Sequence, residues 1–126
     1  MDEHLQKSSL GERSISKSFI ARYAAEAALR TEGVAGLEAG KIASIKESLG
    51  APHEGKGVRV RFDENHPDLL IIEIYPIIYY GFVLPDVAFA IQENVKRDIE
   101  EYTDLYVSSV DVHVKDIIEA SEDYDA

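Results

Sequence analysis

Two stretches decide the fold: Val58-Arg59-Val60-Arg61-Phe62-Asp63 and Leu70-Ile71-Ile72-Glu73-Ile74-Tyr75-Pro76-Ile77-Ile78-Tyr79, with Glu64-Asn65-His66-Pro67-Asp68 between them. The first alternates strictly. Val58, Val60 and Phe62 point one way while Arg59, Arg61 and Asp63 point the other, the period of a half-buried strand. The intervening run is turn chemistry, so the β-branched second stretch answers as the other arm of an antiparallel hairpin. Both faces of that arm are apolar, which implies burial from two sides. Pro76 has no N–H to give to a ladder and is expected at an edge or a bulge. Glu73 is the one acid in the arm, and the open side implied by Pro76 makes it an exposed or ion-paired carboxylate.

Downstream, Pro85 suits the first turn of a helix whose stripe is Val87, Ala88, Ile91, Val95, Ile99 and Tyr102, opposite Glu93, Lys96, Arg97, Glu100 and Glu101. A third strand follows, with Ser108, Val110, Val112 and Val114 predicted inward. It should run parallel to the second and pair beside the first or the second. Upstream, Ser16 or Ser18 caps a helix with Phe19, Ile20, Tyr23, Ala24, Ala27 and Ala28 on its apolar side, ended by Gly33 and Gly36. A short second helix is predicted over 41–49. The order α, short α, β, β, α, β predicts an α+β domain: a small three-stranded mixed sheet with helices packed on one face. That domain spans residues 14–118, between a polar tail over 1–13 and an acidic tail over 119–126.

The chain has 126 residues and 45% hydrophobic composition, which suits one domain with a single core. Thirteen Lys and Arg face 24 Asp and Glu, a net charge of −11 that opposes nucleic-acid backbones and anionic lipid surfaces. There is no cysteine, hence no disulfide, thiolate zinc site, iron–sulfur cluster or cysteine nucleophile. The most apolar stretch, Leu69 to Leu84, is broken by Glu73, Pro76 and Gly81 and falls short of the roughly 20 residues of a spanning helix. Met1-Asp2-Glu3-His4 is not the start of a secretory signal. A cytoplasmic protein without direct membrane insertion is expected.

No chemistry-bearing constellation stands out. His4, His53, His66 and His113 have no metal-pair spacing; Asp111 and His113 share a strand face, but two donors do not make a zinc site. No serine sits in a Gly-x-Ser-x-Gly elbow and no phosphate-cradling loop is present. Neither catalytic residues nor a metal or cofactor is expected. Gly33-Val34-Ala35-Gly36 has the Gly-x-x-Gly form of the backbone clamp in KH nucleic-acid-binding domains. Glu32 and Glu38 flank it, however, and the glycines are read first as turning the chain after a helix. Tyr75, Tyr79 and Tyr80, with Glu73, are the candidate partner-binding residues, by aromatic anchoring or strand addition at an open sheet edge.

Several segments carry a family resemblance: Ser14-Ile15-Ser16 leading into Ile20-Ala21-Arg22-Tyr23-Ala24, Glu32-Gly33-Val34, Lys56-Gly57-Val58-Arg59-Val60, and Tyr80-Gly81 followed by Val87-Ala88, Ile91-Gln92, Val95, Thr103, Leu105, Val107, Val110, Val112 and Val114. In order and spacing the chain resembles the bacterial alkaline shock protein family over about residues 14 to 118. Pro76 and Asp104 depart from the family's usual unbroken strand and glycine turn. The resemblance implies a cytoplasmic, non-enzymatic adaptor of the envelope stress response that self-associates. In some relatives a small integral membrane protein holds it at the inner face of the membrane; other relatives are linked to control of fatty-acid synthesis.

Overall fold

Ser16 begins the first helix as expected. In the computed structural model, which describes residues 16–38 and 57–120, the Ser16 hydroxyl accepts the Phe19 N–H at 3.3 Å and caps α1 (Lys17–Leu29). Ile20, Ala21, Ala24, Ala27 and Ala28 form its buried face, and the small alanines let neighbouring elements approach closely. Phe19 lies outside that stripe and is exposed, contrary to its expected inward position. Gly33 then takes a φ of 98°, in the left-handed region, and turns the chain into β1 (Val34–Leu37). The expected helix over 41–49, His53, the tail over 1–13 and residues 121–126 lie outside the described residues.

The hairpin forms, but its second arm is two strands. β2 (Val58–Phe62) pairs antiparallel with β3 (Leu69–Ile74), and β4 (Pro76–Tyr79) follows after Tyr75. The long amphipathic stretch is α2 (Leu84–Tyr102), with Pro85 in its first turn, and the chain ends in β5 (Tyr106–Val112) and β6 (Asp116–Ile118). The predicted α+β class and mixed three-stranded sheet are present, in the order β2-β3-β5, with β5 parallel to β3. A second three-stranded mixed sheet, β1-β4-β6, was not legible in the sequence.

Backbone hydrogen bonds knit the two sheets at Tyr75. Its N–H donates to Gly57 C=O at 2.9 Å, and its C=O accepts the Glu38 N–H at 3.0 Å, so β2 and β1 follow each other along one side of the β3–β4 run. On the other side His113 N–H donates to Ile74 C=O and Lys115 N–H to Pro76 C=O, both at 2.8 Å, as β5 gives way to β6. Between those two bonds lies the Pro76 nitrogen, which has no hydrogen to donate. Pro76 is therefore neither at an edge nor on a bulge. It is a fully buried first residue of a strand flanked on both sides, and its missing donor falls where the ladder is interrupted.

A bulge corrects the reading of the last strand. Leu70 pairs with Val107 and Ile71 with Ser109, leaving Ser108 as the extra residue. Val110 and Val112 keep the inward positions expected of them, Val107 takes the inward place expected for Ser108, and Val114 is exposed. The inward valines join Val58, Val60, Leu70, Ile72 and Ile74 on one face of the sheet, in a single core with the buried stripes of both helices. Full burial of each large aliphatic side chain contributes about 1.5–3 kcal/mol. Tyr102, expected inward, instead lies exposed at the end of α2 and stacks on Tyr23, with ring centroids 5.5 Å apart.

Candidate functional site

With the helices on one face of the sheet, alternation sends the polar strand residues to the other. Register places Arg59, Glu73 and Asp111 side by side across β2, β3 and β5. Glu73 is thus on a central strand, not at the open edge expected for it, and is half-buried. Tyr75, at the junction of β3 and β4, donates its hydroxyl to Glu73 Oε1 at 2.9 Å. The ring of His113 stacks on Tyr75 at 5.1 Å. Of the four candidate residues, Glu73 and Tyr75 are brought together, with Arg59 and His113 as partners that their sequence positions did not suggest. Among the described residues no group of three His, Cys, Asp or Glu could hold a metal ion.

Burial pushes the Tyr75 phenol above its usual pKa, helped by the Glu73 carboxylate that accepts its hydrogen bond and repels a phenolate, while Arg59 pulls the other way. A raised folded-state pKa contributes stability that is fully present below the unfolded value of 10.0 and is lost as pH rises through the folded value. Tyr75→Phe is therefore expected to be less stable than the parent at neutral pH, with the gap narrowing above about pH 10. Urea unfolding from pH 8 to 11 checks this; a gap of constant size over that range would remove the hydroxyl from the account.

Tyr79 and Tyr80 lie at the far end of the second sheet. Tyr79 is half-buried in β4 opposite Ile118, whereas Tyr80 is 73% exposed in the turn leading to α2. That turn is well held. Tyr80 N–H donates to Ile118 C=O at 2.7 Å, Gly81 adopts a φ of 104°, and Asp86 N–H donates to Val83 C=O at 3.0 Å. It nevertheless presents Tyr80, Phe82 and Val83 to solvent, three large apolar side chains in four residues. The sequence reading found Tyr80 there and missed Phe82 and Val83.

Strand addition is obstructed along β5. Gln92, Lys96 and Glu100, at four-residue spacing on α2, reach over its outer edge. Gln92 Nε2 donates to Val110 C=O at 3.0 Å, Lys96 Nζ to Val107 C=O at 3.3 Å, and the Glu100 carboxylate accepts the Val107 N–H at 2.9 Å. Burial raises the Glu100 pKa, but the hydrogen bonds from Lys96 and Val107 and the charge of Lys96 outweigh it and leave the group lowered, an anion over this stretch of the edge. Such side-chain cover is one way to keep an edge strand from pairing with another chain. The Gly33-x-x-Gly36 segment is also engaged in the fold: Gly36 lies in β1, and Gly33 C=O accepts the Tyr79 N–H at 2.9 Å.

Comparison with known proteins adds relatives to this geometry. The chain is 29% identical over 105 residues to the uncharacterized protein YqhY of Bacillus subtilis, an alignment covering 83% of this chain and 76% of that protein. It is 29% identical over 109 residues to the uncharacterized protein Spy1535 of Streptococcus pyogenes, covering 86% and 81%. A second Bacillus subtilis protein, the uncharacterized YloU, is 28% identical over 109 residues, covering 85% and 88%. Among solved structures MamM-CTD overlays 80% of this chain and 98% of its own at 16% identity and a TM-score of 0.47, a likeness too low to speak to function. The alkaline shock protein 23 family, whose function is cell envelope-related, matches over residues 5–119. That span takes in every described helix and strand, and the chain belongs to this family.

Proposed function

We propose that this protein is a non-enzymatic adaptor of the cell-envelope stress response, acting on the cytoplasmic side through protein contacts and held at the envelope by a membrane-protein partner. The observation that carries this reading is the turn between β4 and α2, where Tyr80 and Val83 are 73% and 59% exposed on a backbone fixed by hydrogen bonds. Rigid, exposed apolar side chains lose little entropy on docking and suit a protein contact. Family membership supports the envelope connection. The charge of −11 opposes direct adsorption to an anionic bilayer, so a protein tether fits the electrostatics. Among the described residues no helix is long and apolar enough to cross a membrane.

The test is affinity capture from detergent-solubilised host cells with the parent chain, Tyr80→Ala and Val83→Asp, each checked for an unchanged circular dichroism spectrum. A small integral membrane protein retained by the parent and lost from both variants is the expected result. Tyr80 is exposed, so its substitution should change stability by no more than about 0.5 kcal/mol, and Val83→Asp puts a capping carboxylate at the N-cap of α2 and should not destabilise the fold. Recovery of soluble enzymes or ribonucleoprotein alone would overturn the adaptor reading.

A further inference from the structure

We propose that the hollow beside β2 binds a phosphate monoester. It has a volume of about 300 Å³ and is lined by Lys17, Arg59, Val60, Arg61 and Glu73. The strand period puts Arg59 and Arg61 on the same face of β2, and the packing of α1 against β2 brings in Lys17 from the first position of the helix. Three cations and one carboxylate give the lining two net positive charges on a chain that carries −11 overall.

These cations are differently placed from most of the other basic side chains. Arg30 and Arg97 are engaged by Asp98, and Lys96 by Glu100. Among the described residues no carboxylate forms an ion pair with Lys17 or Arg61. Arg59 lies directly opposite Glu73 in the β2–β3 register, and the Glu73 carboxylate accepts the Tyr75 hydroxyl at 2.9 Å, so the floor of the hollow has a fixed partner beside one of its two guanidinium groups. Guanidinium forks match the paired oxygens of a phosphate, and an ammonium adds a point charge at the rim. A dianion with three terminal oxygens can engage all three cations. Glu73 offers an acceptor suited to a hydroxyl on the alcohol half of the ester. The volume is at the small end of ligand sites, about 300–1,000 Å³, which favours a short polyol phosphate. The same chemistry occurs free in solution and as the headgroup of phosphatidic acid.

The full chain is titrated with glycerol 3-phosphate at ionic strength held constant with chloride, following backbone amide shifts. Saturable shifts at Arg59, Arg61 and Glu73 are expected. Arg61→Ser and, independently, Lys17→Ser should each weaken binding about tenfold through loss of charge-assisted contacts. Arg22→Ser, which removes a cation outside the hollow, should leave it unchanged. Flotation with phosphatidic acid vesicles, against phosphatidylcholine, separates the sources. Arg61-dependent vesicle binding assigns the site to a headgroup, and binding of the soluble ester alone assigns it to a free metabolite. The proposal is overturned if neither binds, or if Arg22→Ser weakens binding as much as Arg61→Ser does.

Discussion

Gly57→Ala should destabilise this protein by about 3 kcal/mol, combining a left-handed backbone penalty of roughly 1–2 kcal/mol with an overpacking cost of similar size. Gly57 has a φ of 77°, and a Cβ built there would lie 2.6 Å from Leu37 Cβ and 2.9 Å from the Glu38 backbone nitrogen. Neither atom can move freely. The Glu38 N–H donates to Tyr75 C=O, while the Gly57 C=O accepts the Tyr75 N–H, so relief of the clash would pull apart the point where β1 and β2 meet the central run. Gly36 is the internal control: it has ordinary φ and nothing within 4 Å of an added Cβ, so Gly36→Ala should stay within about 0.5 kcal/mol of the parent. Urea unfolding of the two variants decides the matter. A Gly57→Ala protein as stable as Gly36→Ala would mean that the junction is not the tight crossing described.

That crossing also marks where sequence reasoning stopped. Alternation in Val58–Phe62 and the stripe of α2 were legible because each has one buried face and the spacing reports it directly. The run from Leu70 to Tyr79 is apolar on both faces, so periodicity could not reveal that it serves two sheets. Pro76 was the available signal. It was read as evidence of an edge because a missing donor is usually tolerated there, whereas here the parallel partner breaks at the same level. β1 was hidden by its two neighbouring glycines, Gly33 and Gly36, which read as a turn, and its pairing partner lies some forty residues away. The Ser108 bulge turned Val107 inward in place of Ser108 while leaving Val110 and Val112 on their expected face, and no local residue choice announces it.

For the candidate surfaces the same distinction holds. Tyr80 next to Gly81 was readable as an exposed turn residue, since a glycine with positive φ commonly ends a strand. The hollow was not, because Lys17 and Arg61 are more than forty residues apart and meet only through the packing of α1 on β2. Arg59 and Arg61 were recognised as one strand face, yet their partner across the sheet depends on register, which the turn over Glu64–Asp68 leaves open in the sequence. The polar cover on β5 belongs to the same class. Lys96 and Glu100 read as part of an ordinary solvent-facing side, and Gln92 was given no part in it, until the bulged strand is placed beneath all three.

A second large effect is expected where the helices meet, and its asymmetry is the informative part. Asp98 is a buried carboxylate on α2, bonded to the guanidinium of Arg30 at the end of α1 and 3.4 Å from Arg97 Nε. Its side chain is 12% exposed, against 54% for Arg30. Asn94 Nδ2 donates to the buried Thr31 hydroxyl at 2.9 Å beside it, so this corner of the helix pair is fastened by polar contacts rather than by apolar packing alone. Removing Asp98 releases two arginines that water can reach, and Asp98→Ala should cost only about 1–2 kcal/mol. Removing Arg30 leaves the buried carboxylate with Arg97 alone, so Arg30→Ala should cost about 2–3 kcal/mol even though Arg30 is the more exposed partner. The double variant should be less destabilised than the sum of the two, by about 1 kcal/mol or more, since both single deletions remove the same Arg30–Asp98 pair. Unfolding free energies for the four proteins of this cycle give the answer. If Asp98→Ala proves the costlier single change, the carboxylate is not paying the desolvation penalty that its burial implies, and the helix pair is held mainly by its alanine face.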